Sequence, residues 1–73
     1  MAYVLIETQA GKTKQVVEAI RKLKGVVSVD IVTGPYDAIA VIQAETLSDL
    51  GELIVQMGHP VAGISRTVAC LAL

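Results

Sequence analysis

Apolar and polar positions change period in a regular order along this chain. Ala2 to Thr8 is rich in β-forming residues and predicts a strand, which Gln9-Ala10-Gly11 breaks. From Lys12 to Leu23 the period becomes helical. Val16, Ile20 and Leu23 fall at i, i+4 and i+7, Val17 and Ala19 widen the stripe, and Lys14, Glu18, Arg21 and Lys22 lie mostly on the other face. Gly25 suits a left-handed C′ position, and Lys22 and Lys24 complement the negative end of the helix dipole. Val26 to Thr33 predicts a second strand. Gly34-Pro35 forces a turn, and Tyr36 to Ala44 predicts a third strand after a short hairpin-like connection. Thr46-Leu47-Ser48-Asp49 reads as a capping box with Asp in place of Glu or Gln. The helix it opens carries Leu47, Leu50, Ile54 and Met57 on one stripe with Leu53 beside them. Gly58 is its expected C′ residue, and Pro60 blocks continuation. Val61 to Leu73 predicts a long last strand.

The order is βαββαβ, and the two halves look alike: strand, helix, glycine, strand. It predicts an α+β fold of the ferredoxin-like type, a four-stranded antiparallel sheet with both helices on one face. Each half crosses over right-handed. A strand covered on one face needs only alternate apolar residues, yet both faces here are apolar. Ile39 and Val41 oppose Ala38, Ala40, Ile42 and Ala44. Val4 and Ile6 oppose Tyr3 and Leu5, and Ile64, Val68 and Cys70 oppose Ala69, Leu71 and Leu73. Two helices cover one face, so the other is expected to pack against a second copy, sheet on sheet, burying about 800 Å² per partner.

Composition sharpens this expectation. Hydrophobic residues make up 53% of 73 residues, with no Phe or Trp. A single domain this small hides only about 60% of its unfolded surface. Disulfides, metals and oligomerisation are the usual supports. Cys70, the single cysteine, has no partner within the chain, and no Cys/His cluster has metal-ligand spacing. Oligomerisation remains. The net charge of −1 disfavours direct DNA binding, although Lys12, Lys14, Arg21, Lys22 and Lys24 gather on one segment near Glu7, Glu18 and Asp30. The N-terminus has no basic region and no long apolar run, so neither a signal peptide nor a membrane span is expected, and a cytoplasmic location follows.

Candidate chemistry is sparse. No phosphate loop, zinc signature or catalytic constellation is present, and no cofactor is implied. His59, between Gly58 and Pro60, reads as a solvated turn residue; it is also the only general base of suitable unperturbed pKa. Cys70 reads as a buried small apolar residue. Gly34-Pro35-Tyr36-Asp37 fits a plain turn, in which Asp37 bonds nearby amides. It also fits a small-ligand corner: exposed amides for a carboxylate, Asp37 for an ammonium, Tyr36 over a side chain. Ser65-Arg66-Thr67 is a polar island in an apolar strand. Hydroxyls and a guanidinium there can orient a carboxylate, but alternation puts Ser65 and Thr67 on one face and Arg66 on the other. Asp30 and Thr33 are weaker candidates.

Gly25-Val26-Val27-Ser28-Val29, Val32-Thr33-Gly34-Pro35-Tyr36-Asp37 and Val61-Ala62-Gly63-Ile64-Ser65-Arg66-Thr67 stand in an order and spacing that resemble the ligand-binding (RAM) domain of the Lrp/AsnC, or feast/famine, transcriptional regulators. The resemblance runs through almost the whole chain. Full-length members add an N-terminal helix-turn-helix, which has no counterpart in residues 1–73. The expectation is therefore a single stand-alone sensing domain. The resemblance implies dimers joined through their sheets, rings of dimers, and an amino-acid effector between dimers. By position it implies Gly34, Tyr36 and Asp37 as one wall of that pocket and Ser65 and Thr67 as another. Pro35 departs from the varied residue usual there and removes one amide donor. Full-length Lrp/AsnC regulators are implied as partners in mixed oligomers.

Three readings follow. The leading one is a non-enzymatic amino-acid sensor that acts as an oligomer. The second is a pure dimerisation or assembly module. The third is a small enzyme of the dimeric α+β barrel type, for which His59 is the best base and the inward aliphatic strands are unsuited. A copper chaperone needs paired soft ligands, which one cysteine does not supply.

Overall fold

Alternation at Ala2, Val4 and Ile6 and at Ala38, Ala40 and Ile42 produces two strands whose apolar sides face the same way; all six side chains are buried. In the computed structural model, which describes residues 1–58 and 61–73, the order is β1 (Ala2–Thr8), α1 (Thr13–Arg21), β2 (Val26–Ile31), β3 (Ala38–Ile42), α2 (Leu47–Gly58) and β4 (Ile64–Leu71). The sheet order is β2-β3-β1-β4, and every pairing is antiparallel. This is the expected ferredoxin-like α+β sandwich. Val16, Val17 and Ile20 of α1 and Leu50, Leu53 and Met57 of α2 join Val29 and the six strand residues in one buried cluster.

The likeness of the two halves is physical. Gly25 precedes β2 with φ +97°, and Gly63 precedes β4 with φ +98°. The Gly25 carbonyl accepts the Gln43 amide at 2.9 Å, and the Gly63 carbonyl accepts the Gln9 amide at 2.8 Å. A Cβ on Gly25 would stand 3.0 Å from Leu53 on α2; one on Gly63 would stand 3.0 Å from Val16 on α1. Each glycine thus lets the chain pass under the helix of the other half.

Several boundaries are shorter than the pattern predicts. α1 ends at Arg21 because the Lys22 and Leu23 amides turn to Ala19 and Ile20, three residues back, tightening the last turn. Gly25 is therefore not its C′ residue; it serves the passage just described. β3 begins at Ala38 rather than Tyr36, because the Val32 amide bonds the Asp37 carbonyl at 2.9 Å and closes a loop over 32–37. The helix-capping prediction holds at Thr46, whose hydroxyl accepts the Asp49 amide at 3.0 Å. Gly58, expected at C′, is itself helical. Leu47, predicted on the core stripe, is 75% exposed and borders a cleft with Met1, Leu71 and Leu73 instead of joining the core. His59 and Pro60 lie outside the described residues.

β4 corrects the face assignment of Ile64. Thr67 registers with Ile6 and Arg66 with Glu7, but Ile64 registers with Thr8, leaving Ser65 unpaired in a bulge. The extra residue reverses the alternation, so Ile64 packs against the core instead of sharing the face of Val68 and Cys70. Ser65 and Thr67 are accordingly not two successive positions of one regular face. The face away from the helices carries half-buried Leu5, Ile39, Val41 and Val68, with Tyr3 and Cys70 exposed. Cys70, expected to be buried, is free and exposed, on a face that no helix among the described residues covers. Among the described residues no helix is long and apolar enough to cross a membrane.

Candidate functional site

The C-terminal end of β1, Ile6-Glu7-Thr8, organises the candidate site because it is central in the sheet. On one side lies the 32–37 loop. The Asp37 amide bonds the Ile6 carbonyl at 2.9 Å, and the Asp37 carboxylate accepts the Thr8 amide at 2.8 Å. Gly34 holds φ +130°, a conformation that favours glycine. Gly34 and Pro35 are exposed; Tyr36 and Asp37 are half-buried. The Thr8 hydroxyl lies 2.7 Å from that of Thr13, which ties the same strand end to the first turn of α1.

On the other side of β1 lies the start of β4. Thr67 stands opposite Ile6, and Arg66 opposite Glu7. Ala38, Ile6 and Thr67 therefore form one row across three strands. The two polar segments singled out in the sequence, far apart along the chain, come to the same end of the sheet. They do not touch. Two strand spacings separate them, on the order of 10 Å, with β1 between. Thr67 is half-buried, and Ser65 in the bulge is exposed. Asp30 is exposed and opposite Ile39 on the open face of the sheet, and Thr33 is exposed in the loop.

Sequence reasoning missed Thr8 and Thr13. Neither carries a motif; only the register of β1 against the helix start reveals their contact. Two clefts lie at the opposite end of the molecule. One, of about 440 Å³, lies between α2 and the α1–β2 turn and is lined by Lys24, Gln43, Asp49 and Glu52 among others. The other, of about 280 Å³, is bordered by Met1, Leu47, Leu71 and Leu73. Among the described residues no group of three or more His, Cys, Asp or Glu side chains is placed to hold a metal.

The model of the Lrp/AsnC ligand-binding domain family matches residues 1–73. The chain belongs to the Lrp/AsnC ligand-binding domain family. An uncharacterised HTH-type transcriptional regulator of Pyrococcus furiosus is 31% identical over 74 residues, covering 97% of this chain and 49% of the relative. The chain spans about half the length of the curated relatives it matches. A solved protein from Thermus thermophilus superposes with a TM-score of 0.92 at 33% identity, covering 99% of this chain and 90% of that one. A Neisseria meningitidis transcriptional regulator, solved as a complex with L-Met, shares the fold with a TM-score of 0.83 at 16% identity, covering 99% of this chain and 48% of that one. The chain is thus a member of a ligand-binding domain family and is related to HTH-type transcriptional regulators.

Proposed function

We propose that this Lrp/AsnC domain senses an amino acid and binds it where copies of the chain meet. The observation that carries the reading is the convergence of the 32–37 loop and the start of β4 on one end of β1. In this reading Gly34 supplies a backbone amide to the ligand carboxylate, and Asp37 supplies negative charge to the ammonium. Tyr36 closes over the side chain. Ser65 and Thr67 approach from a neighbouring copy, because within one copy β1 lies between them and the 32–37 loop. The Neisseria meningitidis regulator's complex with L-Met supports an amino acid as the ligand class.

The apolar open face of the sheet supports a dimer packed sheet against sheet. Ligand then shifts the population of assemblies by its differential affinity for them. The near-complete coverage of the Thermus thermophilus chain supports a stand-alone domain, acting in the cytoplasm through mixed oligomers with full-length Lrp/AsnC regulators. No catalytic step is assigned to it.

One observation favours the second reading, an assembly module without a metabolite. An oxygen of Asp37 is already engaged by the Thr8 amide, as in a plain structural turn. Amide NMR spectra of labelled protein, titrated with each of the twenty amino acids, separate the two. The sensor reading expects one selective ligand whose shifts cluster at Gly34, Tyr36, Asp37, Ser65 and Thr67. Shifts from no amino acid, or shifts confined to the far end of the sheet, would refute it.

A further inference from the structure

Thr8 closes β1 and works in two directions. It shares the parity of Val4 and Ile6, whose side chains are buried on the helix side of the sheet, so alternation turns its side chain toward the helix layer. There its hydroxyl lies 2.7 Å from that of Thr13, in the first turn of α1. Its amide donates to the Asp37 carboxylate at 2.8 Å. Threonine is branched at Cβ and stiff about χ1. A hydroxyl held by α1 therefore fixes the backbone of Thr8, and with it the amide that holds the 32–37 loop.

The start of β4 rests on the same helical turn. Ile64 pairs with Thr8, and the Gly63 carbonyl accepts the Gln9 amide at 2.8 Å. A Cβ on Gly63 would stand 3.0 Å from the Lys12 Cβ and 3.0 Å from the Val16 Cγ2. The chain thus enters β4 against residues 12–16, just before the Ser65 bulge. One wall of the candidate site reaches that turn through Thr8 and Thr13, and the other reaches it through Gly63. The turn has little else to hold it by side-chain bonding. Lys12 at the N-cap makes no side-chain cap bond, and the first turn holds no acidic residue. Among the described residues, the side-chain hydrogen bond that ties this turn to the sheet is the Thr8–Thr13 pair.

We infer that Thr13 is a positioning residue of the candidate site, and that the first turn of α1 is the common seat of both its walls. Thr13 acts through Thr8 on the Asp37 loop. Loosening that turn shifts the loop and the entry to β4 together, so the placement of α1 and the affinity for ligand are linked. The consequence for ligand rests on the sensor reading; the mechanical link between α1 and the Asp37 loop does not.

The test is amide hydrogen exchange and titration with the twenty free amino acids, both read by NMR, on the wild type, Thr13→Val, Thr13→Ser and Thr8→Val. Valine keeps the branched shape and removes the hydroxyl, whereas serine keeps the hydroxyl. In Thr13→Val the Thr8 amide is expected to exchange roughly two- to tenfold faster, measured against the core amides of Ile20 and Ala40. Thr13→Ser is expected to restore the wild-type ratio. A general loss of stability would instead speed all three amides by the same factor. For any amino acid that binds the wild type, Thr13→Val is expected to weaken affinity by a similar roughly two- to tenfold factor, and Thr13→Ser to recover it. Exchange at Thr8 that rises only in step with Ile20 and Ala40 would overturn the inference. So would Thr13→Ser behaving like Thr13→Val, or unchanged amino-acid affinity in Thr13→Val. A wild type that binds none of the twenty defeats the sensor reading, and the exchange ratio still decides the positioning role. Should Thr13→Val not fold, Thr8→Val removes the same contact from the strand side, and the amide at position 8 is read against the same two references.

Discussion

The carboxylate of Asp37 accepts the backbone amide of Thr8 at 2.8 Å, joining residues 29 apart in sequence and pinning the 32–37 loop to the end of β1. This bond makes Asp37 structural whatever ligand it meets. Asp37→Ala leaves a part-buried amide unpaired, and a hydrogen bond to a charged group is worth about 1.5–3 kcal/mol. Denaturant titration should show a loss of that order. Asp37→Asn keeps an acceptor and should lose less. A ligand defect in Asp37→Asn at near-normal stability would then report on binding itself.

Gly25 and Gly63 give a paired prediction. Each has positive φ and a close neighbour from the other half's helix, so alanine adds both strain and crowding. Left-handed backbone costs a non-glycine residue about 1–2 kcal/mol, and the 3.0 Å approaches add to it. Gly11→Ala has the same sign of φ with nothing within 4 Å. Thermal melts should rank Gly25→Ala and Gly63→Ala as clearly more damaging than Gly11→Ala. Equal losses would mean that the helix contacts carry no weight.

The Thr46 cap predicts a smaller effect. Its hydroxyl accepts the Asp49 amide at the start of α2. Thr46→Ala should cost about 1 kcal/mol by denaturant titration, and Thr46→Ser or Thr46→Asp should retain most of that stability.

The open face predicts a change of mass rather than of fold. Leu5 is on the central strand β1 and faces away from both helices, opposite Ile39 and Val68. Leu5→Glu places a charge in the proposed sheet-to-sheet contact and leaves the helix-side core untouched. Sedimentation should show monomers with an unchanged far-ultraviolet circular dichroism spectrum. A dimer of wild-type strength would exclude this face as the interface.

Much of the fold is legible in the sequence because its signals are local. Val16 and Ile20 mark the helical stripe, alternation marks β1 and β3, and Thr46 marks a helix start. What escapes depends on register and on tertiary reach. Nothing around Ser65 signals that it is the extra residue of a bulge, so simple alternation puts Ile64 on the wrong face. Leu47 has the right spacing for the core stripe but is exposed at the start of α2. The hairpin and the β4 polar island are both visible as residues, yet only the pairing of β1 with β3 and β4 brings them to one end. The Thr8–Thr13 contact has no sequence signal, because two threonines acquire meaning only when a strand end meets a helix start.

A thermal-shift screen against the twenty amino acids, with light scattering on the same samples, tests the central claim most directly. A ligand that binds only the native state adds about 2.7 kcal/mol at ~100 times its Kd. For a domain of this size each kcal/mol is roughly 4–8 °C. The account predicts a shift of several degrees with one or a few amino acids, accompanied by a change in particle mass. Identical melting temperatures and masses across all twenty, in a protein that remains a stable oligomer, would contradict it and leave an assembly module.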